Sequence, residues 1–285
     1  MTVGSAAFTS MLSSRLMATM EPGFLVICAL TFVIHLVGTL AYAVRIAGTR
    51  TRRIALSLSL FNVLVLVSRT SNAFQAPLLA KRVEENIAAG ATGGVADFRW
   101  LLAFAAAGTV AGALLIPTFQ RLLSRWVSAV GRVRSPFAML RRLASPVVVA
   151  HVRESAVLPR WENVARLRSG RHLPWSVVML NTAAMAVWSV GVFAALYAGY
   201  LRPELRVTAS QLSAVVNGVA TILMFAFIDP YLSLMTDDVV EGKVDESYLR
   251  RSIVWLTGSR LAGTVLAQAL LVPGALWIAA CAEWL

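Results

Sequence analysis

Acidic residues and cysteines are scarce in this chain. Its 285 residues include 14 Asp and Glu against 26 Lys and Arg, and two cysteines. Cys28 and Cys281 both lie in apolar runs, which excludes a disulfide framework and a cysteine-based metal motif. Charged residues amount to only 14%, while 58% are hydrophobic and the mean hydropathy is +0.71. These values exclude a soluble domain and define an all-α, polytopic membrane protein. The formal charge of +12 therefore reads as membrane topology and contact with anionic lipid headgroups, not as nucleic-acid binding. No internal repeat or low-complexity tract is visible in the sequence.

Six apolar segments are long enough to cross about 30 Å of hydrocarbon, which takes roughly 20 helical residues. They fall near 23–44, 54–80, 100–119, 175–200, 207–228 and 253–281. The expected organisation is a disordered external extension over 1–22, then one transmembrane domain over 23–285 with an Arg-rich loop at 121–172. That loop, with "FQRLLSRWV" and "FAMLRRLA", has the amphipathic spacing of a membrane-surface segment. The odd-numbered connections hold 18 basic residues, against six in the alternate connections and the N-terminal tail. By the positive-inside rule the odd connections are cytoplasmic, and both termini lie outside. The cluster of positive charge follows the first apolar run instead of preceding it, which argues against a signal peptide. Pro77, Pro117 and Pro273 are placed to kink or break the second, third and sixth helices.

The second apolar segment raises the functional question, because it reads "SLFNVLVLVSRTSNAFQAPLLAKR" and contains Arg69. Ile54 to Val67 is too short to span, so the helix must continue past the arginine and hold it near mid-depth. Asn62 and Asn72 fall on the same face as Arg69, and Gln75 follows one turn later. An arginine at the bilayer centre costs at least about 2.5–3.5 kcal/mol on insertion scales, so it needs a partner or a wet cavity. One explanation is a structural pair with a carboxylate or backbone carbonyls. The scarcity of acidic residues in the spans favours an anionic ligand instead.

Other polar groups leave alternatives open. Arg260 shares a face of the sixth helix with Thr257, Thr264 and Gln268, and is either a buried site or a cytoplasmic flanking residue. His35, with Thr31, Thr39 and Tyr42, makes a stripe on the first helix that suits either packing or ligand contact. Asn181, Thr182, Asn217 and Thr221 read as interhelical hydrogen-bonding groups. In "FIDPYLSLMTDDVVEGKVDESYLRR", read as a loop, Asp237 and Asp238 could hold Mg²⁺ near a diphosphate or simply form a solvated face.

Three stretches together carry a resemblance. "LTFVIHLVGTLAYAVRIAGTRTRRIALSLSLFNVLVLVSRTSNAFQAP", "FIDPYLSLMTDDVVEGK" and "GSRLAGTVLAQALLVP" resemble the Amj family of bacterial lipid II flippases, the alternates to MurJ. The resemblance covers most of the chain from Phe24 to Pro273. It implies a multi-pass protein of the bacterial cytoplasmic membrane that moves the undecaprenyl-diphosphate-linked peptidoglycan precursor to the outer leaflet, needs no cofactor and is not an enzyme. The residues expected to meet that substrate, on physical grounds, are Arg69, Asn62, Asn72, Gln75, Arg260, Gln268 and His35. The alternative is a membrane enzyme acting on a polyprenyl phosphate, with Mg²⁺ at Asp237 and Asp238.

Overall fold

The computed structural model describes residues 21–90, 94–130, 154–157 and 174–285. Of the extension expected over 1–22, residues 1–20 lie outside the described residues, as does most of the Arg-rich loop. The first helix, α1 (Pro22–Thr51), begins with proline in its first turn, where a missing N–H has no intrahelical partner to lose. It ends at Arg52, whose left-handed backbone returns its N–H to the carbonyls of Gly48 and Thr49. The chain then re-enters at once into α2 (Ile54–Ala88), followed by α3 (Val95–Val130) and α4 (Trp175–Leu201).

The fifth span is composite. A 3-10 turn at Pro203–Leu205 leads into α5 (Arg206–Leu223), which passes through a π-helical turn at Met224–Ile228 into α6 (Asp229–Val240). The last helix is α7 (Glu246–Trp284). Among the described residues six segments are therefore long and apolar enough to cross a membrane, as expected. All but α4 extend well beyond the apolar core anticipated for them. A charged residue such as Arg82 ends the hydrocarbon-compatible stretch without ending the helix, because the backbone ladder is indifferent to side-chain polarity. For the same reason most of the presumed acidic loop is helical, and the connection itself is only 241–245. Helices α2, α3 and α7 run through Pro77, Pro117 and Pro273 without breaking.

By extent of contact the neighbours follow the order α2, α1, α3, α7, α4, α5. In the first half of the chain α1 packs against both α2 and α3, and in the second α4 packs against both α5 and α7. Each half thus places its first helix between the other two. Each also contains three spans, so the second half runs in the opposite sense across the bilayer. Ion pairs fix the two ends: Arg82 joins Glu21 (2.6 Å) and Asp97 (2.8 Å) at one, and Arg50 joins Glu246 (2.7 Å) at the other. This is an inverted repeat of helices that the sequence does not display.

Close backbone approach holds each half together. On α3, Gly108 and Gly112 sit over the backbone carbonyls of Phe32 and Leu36 on α1, and a methyl group at either position would collide with them. Such small-xxx-small spacing is how membrane helices gain contact when lipid offers no hydrophobic drive for association. Between α4 and α7, buried Asn181 donates to the Leu256 carbonyl (3.0 Å) and the Ser259 hydroxyl (2.7 Å). By contrast, α2 and α5, at the two ends of the order, make little contact with each other.

Candidate functional site

Between the halves, bounded by α1 and α4 and flanked by α2 and α5, lies a cavity of about 250 Å³. From α2 come Arg69, Asn72 and Gln75, and from α1 Thr31 and His35. The second half adds Trp188 and Ser189 from α4 and Asn217 from α5. Among the described residues no carboxylate lines it. Arg69 is near the middle of a 35-residue helix about 52 Å long, so its depth is far from either end.

A buried hydrogen bond ties the α2 wall of the cavity to α1. Gln75 is buried and donates its amide to the Thr31 hydroxyl, which in turn donates to the Ile27 carbonyl (2.8 Å). One and two turns from this anchor, Asn72 and Arg69 are exposed, and Arg69 has no ion pair or hydrogen bond among the described residues. Arg69 thus borders the cavity with no carboxylate beside it among the described residues. Other polar atoms of the wall are enclosed and equally unpartnered among the described residues: His35 Nδ1, Ser189 Oγ and Asn217 Oδ1. A buried polar group without a partner costs about 1–3 kcal/mol, which a ligand with donors and acceptors would relieve.

Of the sequence-derived candidates, the structure therefore brings together Arg69, Asn72, Gln75 and His35. Asn62 lies outside the cavity, exposed on α2, because seven residues along a helix is about 10 Å of axial travel. Arg260 is close by but separate: its guanidinium lies against Gly38 of α1, near His35 and the Tyr42 hydroxyl, with Nε enclosed. It has no carboxylate partner among the described residues. Gln268 instead donates to the Arg99 carbonyl (2.9 Å) and ties α7 to α3. Asp237 and Asp238 fall in the last turn of α6, where Lys243 lies 3.8 Å from Asp238 and 2.5 Å from Glu241. Among the described residues no three metal-ligating side chains are grouped. Sequence reasoning gave no site role to Trp188, Ser189 or Asn217. Asn217, expected to bond between helices, has no hydrogen-bond partner on its Oδ1, and only the pairing of the two halves reveals its position.

These features define a polytopic helical membrane protein with a polar cavity between its two halves, lined by Arg69 and, among the described residues, by no carboxylate. The chain belongs to the Amj family, whose description is "Alternate to MurJ" and whose model matches residues 30–282. Among its relatives is a protein named Lipid II flippase Amj, from Bacillus subtilis (strain 168). The two are 37% identical over 254 residues, covering 88% of this chain and 94% of the relative. No solved structure matches the chain.

Proposed function

We propose that this protein moves lipid II from the inner to the outer leaflet of the bacterial cytoplasmic membrane, as a transporter without a catalytic step. The single observation that carries the reading is Arg69, a charged group at mid-depth, on a cavity without carboxylates and without a protein partner among the described residues. Arginine remains charged in such a setting, and its planar fork grips phosphate through two parallel hydrogen bonds. Arg69, Asn72, Gln75 and His35 form the diphosphate site. Arg260, with the Tyr42 hydroxyl, is a second anion station on the way to the end of the bundle that bears Arg45 and Arg50.

Inverted helix repeats in transporters place the substrate at the repeat interface near the midplane and exchange access by rocking one half against the other. The same logic applies here. Weak packing between α2 and α5 supports a lateral opening through which the polyprenyl tail stays in lipid while the headgroup crosses. The connections at 52–53 and 241–245 face the cytoplasm, where the basic residues concentrate and anionic lipids attract them. The testing experiment reconstitutes the purified protein with labelled lipid II: a flippase relocates the label and returns it chemically unchanged, whereas an enzyme releases a new product.

A further inference from the structure

The cavity is chemically divided between the two halves of the fold. Among the described residues the first half supplies the one charged group on the cavity, Arg69, with Asn72 and Gln75 alongside. Among the described residues the second half supplies no charged group, but the neutral polar residues Trp188, Ser189 and Asn217. Ser189 is 4% exposed, and neither its Oγ nor Asn217 Oδ1 has a partner among the described residues. A neutral hydroxyl and a carboxamide beside an aromatic plate match sugar hydroxyls and an N-acyl amide, with the C–H face of the ring against the indole. They do not match a second phosphate, which would call for another cation.

Size limits what can enter. At about 250 Å³ the cavity falls below the roughly 300–1,000 Å³ typical of sites for drug-sized ligands. A complete sugar-peptide headgroup exceeds it. A diphosphate and the one sugar joined to it make the longest piece whose chemistry changes from anionic to neutral in step with the walls.

We infer that the α4–α5 wall, through Trp188, Ser189 and Asn217, is a sugar subsite that reads the first sugar attached to the lipid diphosphate, and that the remainder of the headgroup lies outside the cavity. This rests on the flippase reading and adds to it a polarity: the diphosphate faces α2 and the sugar faces α4 and α5. Recognition then depends on the sugar next to the phosphates and is indifferent to the peptide.

The test measures binding of three probes to the purified full-length protein: undecaprenyl diphosphate, the same lipid carrying one N-acylated hexose, and complete lipid II. The one-sugar lipid and lipid II should bind with equal affinity, at least tenfold more tightly than the sugar-free lipid. Ser189→Ala and Trp188→Leu should each shrink that preference towards unity, whereas Arg69→Ala should weaken all three probes together. Should either wall variant fail to fold, the wild-type ranking alone decides. Equal affinity for the sugar-free and one-sugar lipids would overturn the subsite while leaving the flippase reading standing, and so would a large further gain on going to lipid II. Failure of wild-type protein to bind any of the three would remove the flippase reading and this inference with it.

Discussion

The guanidinium of Arg260 rests on the Cα of Gly38, so that a methyl group at position 38 would overlap its Nη2. At this contact a glycine on α1 makes room for a cation from α7, in the half-membrane between the cavity and the Arg45–Asp229 pair (3.4 Å). Gly108 presents the contrasting case, because the atom a methyl would meet there is the backbone carbonyl of Phe32.

The two glycines therefore predict different failures. Gly38→Ala should leave the thermal midpoint nearly unchanged, since the tip of a flexible side chain can move aside, while moving Arg260 away from Tyr42 and slowing transport. Gly108→Ala should cost about 1–3 kcal/mol, because α1 and α3 must separate to admit it. Thermal unfolding in detergent and transport in proteoliposomes, measured on both variants, check the pair. Equal destabilisation would contradict the contacts described.

Asn181 tests packing apart from transport. Its carboxamide makes two buried hydrogen bonds from α4 to α7 and is not part of the cavity. Asn181→Ala should lower stability by about 1–2 kcal/mol, in the range for hydrogen bonds between membrane helices. Transport per folded molecule should stay near the wild-type rate. Thermal unfolding together with a transport assay normalised to folded protein separates the two effects.

Orientation is tested without reference to substrate. Gly242 and Glu204 are exposed turn residues at opposite ends of the bundle. In a cysteine-free background, Glu204→Cys should react with an impermeant thiol reagent in intact cells, and Gly242→Cys should react only after permeabilisation. The reverse pattern would invert the proposed topology.

Local chemistry was legible in the sequence to different degrees. Spans could be counted because each must be about 20 apolar residues, and the Arg69 face was visible because α2 cannot end before it. The helical extensions were not, since charge marks where hydrocarbon stops and says nothing of where a backbone ladder stops. Asn217 read as an interhelical hydrogen-bonding group, and nothing marked Ser189. What distinguishes them is that α1 and α4 are held apart, a relationship between segments more than 120 residues distant in the chain. Arg260 was ambiguous for a related reason: apolar length alone allowed it to flank the membrane, and only Gly38 on another helix encloses it. The π-helical turn at Met224–Ile228 left no signal beyond Pro230 shortly after it. Nor does any repeat in residue type announce the inverted repeat of helices.

The central claim is that Arg69 holds the anionic headgroup, and the most direct measurement is lipid II transport per correctly folded molecule in proteoliposomes for Arg69→Ala and Arg69→Lys. Because Arg69 has no partner among the described residues to be orphaned by its removal, both variants should insert and fold at wild-type levels. Arg69→Ala should lose transport by tenfold or more, and Arg69→Lys should keep part of it, since the charge remains and only the bidentate fork is lost. Transport at the wild-type rate per folded Arg69→Ala molecule would contradict the account and reduce the polar face of α2 to packing.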